Sequence, residues 1–145
     1  MSDLDAILRD AVARLADVPD EALGELRIRR LFPPKIVPRG RAWRLGTVLL
    51  DRDGRLYRVG RTTRAIEPPR GVANKSNEAE ERREVQRAAV RGGFAQGETV
   101  DFGHQPLQPE LVDGAWMIRW SPRLPDLVPL QEYLDDRIRL RLGEA

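Results

Sequence analysis

The chain contains no cysteine, and only one histidine among its 145 residues. The first absence excludes disulfides, thiolate metal sites and cysteine nucleophiles together. A zinc site needs three or four ligands, mostly nitrogen or sulfur, and His104 alone cannot supply them. No metal and no cofactor is therefore expected. Long apolar runs are also missing, since stretches such as Val48-Leu49-Leu50 are far too short to span a bilayer. The opening Met1-Ser2-Asp3-Leu4-Asp5 is acidic where a secretory signal would be basic. These features indicate a cytoplasmic protein with no membrane partner. Lysine is scarce as well, with two against 23 arginines. The arginine excess runs through the whole chain, as a high-GC coding sequence produces.

What is present is the makeup of a globular chain: 41% hydrophobic and 33% charged residues. The length suits one domain, residues 1–145, with a core of its own. Net charge is only +2, yet it is unevenly spread. Residues 1–26 carry two Arg against seven acids, and residues 76–145 carry nine Arg against thirteen. Between them, residues 27–75 carry twelve Arg and two Lys against Asp51, Asp53 and Glu67. Such asymmetry points either to an anionic partner or to internal neutralisation by the acidic helices.

The periodicities predict an α+β fold. Leu4, Ile7, Leu8, Ala11, Val12 and Leu15 form one helical stripe over residues 2–17. A short helix is expected from Asp20 to about Arg30, with Ala22, Leu23 and Leu26 on its apolar side, ended by Pro33-Pro34. Residues 42–50 and 55–66 read as a hairpin around Asp51-Arg52-Asp53-Gly54, with Gly54 in the left-handed conformation. Arg55, Arg58, Arg61 and Arg64 recur every three residues, so a regular strand would put them on both faces. Asn77 fits an N-cap with Glu80 as its capping-box partner, and the helix then runs to Arg91 and stops at Gly92-Gly93. Strands follow near 98–102 and 115–121, the second placing Trp116, Ile118 and Trp120 on one face and two indoles in the core. A last helix spans about Leu130 to Leu142, between Pro129 and Gly143. The order favours an antiparallel sheet of about four strands, as two hairpin-like pairs, packed with the N-terminal, central and C-terminal helices.

Candidate chemistry is sparse. Asp101 and His104 lie three apart at a strand end, but the Gly-x-Ser-x-Gly elbow of a serine hydrolase is absent. Gly71-Val72-Ala73-Asn74-Lys75-Ser76 precedes a helix as a phosphate-binding loop does. That loop requires glycines where Asn74 and Pro69 stand, which excludes nucleotide hydrolysis by this route. Lys75 and Ser76 remain candidates to hold an anion at a helix start, or simply to cap it. The strongest cluster of cations is Arg27, Arg29, Arg30, Lys35, Arg39, Arg41 and Arg44, with Trp43 beside it as a stacking or core residue. No nucleic-acid-binding signature accompanies it.

The succession Pro38-Arg39-Gly40-Arg41-Ala42-Trp43-Arg44-Leu45-Gly46, then Arg91-Gly92-Gly93-Phe94 and Gly97-Glu98-Thr99-Val100, with Leu130-Gln131-Glu132-Tyr133-Leu134 in the closing helix, resembles a family of small uncharacterised proteins from high-GC bacteria. Some members carry the label glutaminase, so the resemblance implies a name and not a mechanism. Serine-dependent glutaminases use a Ser-x-x-Lys element. Here the third residues after Ser2, Ser76 and Ser121 are Asp5, Ala79 and Leu124, so no catalytic residue carries over. The leading expectation is a non-catalytic binding domain for an anionic partner: a protein, a nucleic acid or a phosphorylated ligand. The alternatives are a small amide hydrolase and a homo-oligomer whose acidic helices meet the basic segment of a neighbour.

Overall fold

A computed structural model describes residues 3–69, 76–121 and 126–144. The fold is α+β. Its helices are α1 (Asp3–Arg14), α2 (Asn77–Arg91) and α3 (Leu130–Leu142). Its strands are β1 (Glu21–Arg27), β2 (Lys35–Leu45), β3 (Val48–Asp51), β4 (Leu56–Arg58), β5 (Arg61–Arg64), β6 (Thr99–Phe102), β7 (Gln105–Pro106), β8 (Glu110–Val112), β9 (Ala115–Ile118) and β10 (Val128–Pro129). The four expected strands therefore understate the sheet content. No helix among the described residues is long and apolar enough to cross a membrane.

The chain divides into two compact units. The first comprises Met1–Asp20, Ala42–Val59 and Gln105–Ala145. Here the end of β2 starts the hydrogen-bonded order β2-β3-β4-β7, and β10-β9-β8 form a separate antiparallel sheet. The α1 stripe behaves as its spacing predicts: Ala11 and Leu15 are buried, and Leu4, Ile7, Leu8 and Val12 pack against the same core. From α3 come Leu130, Leu134 and Ile138, one helical turn apart and all buried. Trp43 is fully buried in this core, and its indole Nε1–H donates to the Val18 carbonyl at 2.8 Å. Trp116 and Trp120 are only half-buried at the margin, so the core holds one complete indole rather than the expected pair. All three tryptophans of the chain belong to this unit.

The expected strand 42–50 is in fact two, because the chain turns at Gly46-Thr47 and pairs Trp43 with Leu50. Tyr133 of α3 fastens that turn. Its hydroxyl accepts the Thr47 N–H at 3.1 Å and donates to the Leu45 carbonyl at 2.8 Å. The Asp51–Gly54 turn is as expected, with φ of +83° at Gly54. Its anchor is Asp51, whose carboxylate accepts from the Asp53 and Arg55 amides, both at 2.9 Å, and from the Tyr57 hydroxyl at 3.0 Å. Burial raises the Tyr57 pKa above 10.0, and the hydrogen bond to Asp51 and its charge raise it further.

The second unit comprises Glu21–Arg41 and Gly60–His104, with strand order β5-β6-β1-β2. β1 replaces the helix expected over residues 20–30, and it pairs with β6 in parallel, Leu23 opposite Asp101. The sheet is therefore mixed, not antiparallel. Gly24 shows why a strand wins. A Cβ there would stand 2.3 Å from Cγ2 of Ile36, so the packing needs a glycine, and glycine disfavours a helix interior. α2 spans its predicted residues, and Val85, Ala88 and Ala89 face the core as read. Its N-cap is Ser76 rather than Asn77, because the Ser76 hydroxyl is the one that accepts the Ala79 N–H, at 3.1 Å. The period-three arginines do not share a strand: Arg55 precedes β4, Arg58 ends it, and Arg61 and Arg64 bound β5.

Candidate functional site

The cations of residues 27–44 divide into three groups. Arg39 and Arg27 converge on Glu25, with Arg39 Nη2 at 2.6 Å and Arg27 Nε at 3.3 Å from the same carboxylate oxygen. Arg39 first, then Arg27, holds the Glu25 pKa below the usual carboxylate value. Arg41 pairs with Glu98 at 3.1 Å. These acids come from β1 and from the residue before β6, not from the terminal helices. Arg44 is half-buried on β2.

Arg29, Arg30 and Lys35 form the third group. Arg29 and Arg30 lie on the connection from β1 to β2 and Lys35 opens β2, and among the described residues none of them meets an acidic partner. The same connection exposes three bulky apolar side chains: Ile28 at 76%, Leu31 at 85% and Phe32 at 63%. Single exposed apolar residues are ordinary, but three within five residues are a concentration of apolar surface on one short segment. The loop is braced from inside. The Arg29 guanidinium lies 5.1 Å from the Phe32 ring centroid and donates to the Pro33 carbonyl at 2.9 Å. Pro33 and Pro34 restrict the backbone further. At the return into β2, Arg91 donates to the Pro34 carbonyl at 2.6 Å.

Sequence reasoning identifies the cations of this tip but not its apolar half. A helical reading of residues 20–30 says nothing of the exposure of Ile28, and Leu31 and Phe32 fall outside every predicted element. The alternation Leu26-Arg27-Ile28-Arg29 is the available signal for an extended segment. Lys75 lies outside the described residues, as does Ser2. Ser76 is placed at the helix cap, on a different element from the tip.

Asp101 and His104 are the other titratable pair of interest. Asp101 is fully buried on β6 and accepts from the Thr62 hydroxyl at 3.0 Å across the β5–β6 ladder. Burial lowers the His104 pKa below 6.5, and the Asp101 charge offsets part of that. Burial thus favours the neutral imidazole form of His104. Because its folded value lies below its unfolded one, the folded chain binds fewer protons, and stability falls as pH drops below 6.5 toward the folded value. The single imidazole makes this directly readable: its C2 proton resonance titrates with a midpoint below 6.5. A midpoint at or above 6.5 would mean that the Asp101 charge, not burial, dominates at the ring. Among the described residues, no group of three or more His, Asp or Glu is arranged to hold a metal ion.

Comparisons with protein-family models, curated proteins and solved structures return no match to this chain.

Proposed function

We propose that the chain is a non-catalytic binding module that holds an acidic protein surface on the β1–β2 tip. The observation that supports it is the joint exposure of Ile28, Leu31 and Phe32 beside Arg29, Arg30 and Lys35, three cations facing no acid among the described residues. The apolar side chains supply desolvation energy and the cations choose the sign of the partner. A nucleic acid suits the tip less well. Its affinity comes from phosphates and from bases stacked on aromatic rings, and Ile28 and Leu31 have no ring to offer.

The test uses a labelled synthetic peptide that alternates Glu with Leu and Trp, followed by fluorescence anisotropy. The wild-type chain binds it and loses affinity as salt rises. Replacing Leu31 and Phe32 together by Ser weakens binding by about 2 kcal/mol, roughly thirtyfold. Both side chains are exposed, so the fold stays intact, and losing the contact of Arg29 with the Phe32 ring shifts the melting temperature only slightly. A companion peptide with Lys in place of Glu does not bind. Equal affinity of the Ser variant and the wild type would overturn this reading. So would preference for single-stranded RNA over the acidic peptide.

A further inference from the structure

We infer that the acidic surface taken by the tip belongs to a second copy of this chain, which rests on the reading above. Within the first unit, α1, the start of β9 and the start of α3 surround an open cleft of about 700 Å³. Its lining is partly apolar, from Ile7, Trp116 and Pro129, and partly acidic, from Asp3, Glu132 and Asp135. Asp135 is engaged by Arg14 at 2.7 Å. Asp3 and Glu132 are exposed and have no ion-pair partner among the described residues. The cleft thus offers apolar side chains and two acids without an ion-pair partner among the described residues. The tip offers apolar Leu31 and Phe32 at its apex, with Arg29 and Arg30 beside them. Signs and composition are complementary, and each surface lies inside a single unit. The size falls within the range of about 300–1,000 Å³ typical of clefts that seat a compact ligand.

The two surfaces differ, so the contact is heterologous: the tip of one copy enters the cleft of the next. Self-association of this kind responds to salt, because Arg30 and Glu132 are both at the surface. It also responds to a charge exchange in a way that random aggregation does not.

Light scattering coupled to size-exclusion chromatography reads the outcome. At about 50 mM salt the wild-type chain elutes with a mass above 16.5 kDa, and at about 500 mM it returns to the single-chain mass. Arg30→Glu alone and Glu132→Arg alone each elute as single chains at low salt. Mixed in equal amounts they associate again, because the native tip of the second variant meets the native cleft of the first, and the charge-reversed tip of the first meets the charge-reversed cleft of the second. Far-ultraviolet circular dichroism confirms that both variants remain folded. A wild-type chain of single mass at low salt and high concentration overturns the inference, as does a mixture that fails to associate. The acidic-peptide assay separates the two readings. If the chain stays single but binds the peptide through the tip, self-association fails and the binding module stands. If it associates through tip and cleft yet ignores the peptide, the tip is specific for its own copy.

Discussion

Replacing Trp43 by Ala lowers the unfolding free energy by about 3–5 kcal/mol. The side chain is fully buried, and no smaller neighbour can close over the space it leaves. Val48, Leu50, Leu134 and Ile138 belong to the same core and are each at most 1% exposed. They have few rotamers through which to collapse. A second cost arises at Val18, whose carbonyl loses the indole donor it now has at 2.8 Å. Trp43→Phe separates the two effects. It keeps most of the volume and loses the N–H, so it costs less, about 1–3 kcal/mol. Urea unfolding measures both, as a lower midpoint with an unchanged slope. Natural domains of this size are stable by about 5–15 kcal/mol, so the Ala variant loses a large share of the total. A loss under about 1 kcal/mol for Trp43→Ala would mean that the indole is not in the core.

Gly92→Ala produces the second large effect, in the other unit. The reason is space, not backbone angle. Gly92 has an ordinary helical φ of −72° at the end of α2, where its N–H bonds to Ala88 and Ala89. A Cβ added there would lie 1.8 Å from the Ile36 carbonyl oxygen, which is main chain of β2. That oxygen cannot swing away as a side chain would, so helix and strand must separate. The expected cost is about 3 kcal/mol, at the upper end of overpacking penalties. Gly93 is the control. It has a left-handed φ of +86°, but open space surrounds its Cβ position. Gly93→Ala therefore costs only the local strain, about 1–2 kcal/mol. If Gly93→Ala proves the more destabilising, the close approach of α2 to β2 is wrong.

The helices were the most legible part of the fold. α1, α2 and α3 each carry an apolar stripe at helical spacing. α2 and α3 are also bounded by residues that stop a helix for a stated reason: Pro129 before α3, Gly143 after it and Gly92-Gly93 after α2. The one-residue shift of the α2 cap reflects two adjacent residues, Ser76 and Asn77, that are both good caps. β1 was illegible for the opposite reason. Ala22, Leu23 and Leu26 fit a helical face, and what overrides them is tertiary: the parallel ladder to β6 and the close packing of Ile36 on Gly24. The short strands β7, β8 and β10 have too few residues to establish a period.

The candidate site was half legible. Charge is read directly from sequence, so the run from Arg27 to Arg44 stood out. Sequence does not show which cations already have acids beside them, because Glu25 meets Arg39, and Glu98 meets Arg41, only once the strands are assembled. An exposed apolar residue is equally hard to see, since the ordinary place for Leu and Phe is inside.

The placement of the tryptophans has a practical corollary. With Trp43, Trp116 and Trp120 all in the first unit, indole emission follows the unfolding of that unit and is silent about the other. Any melt tracked by fluorescence alone would miss damage from Gly92→Ala unless the two units unfold as one. Introducing an indole at Phe94, which packs against the second core, would give that half of the chain its own optical reporter.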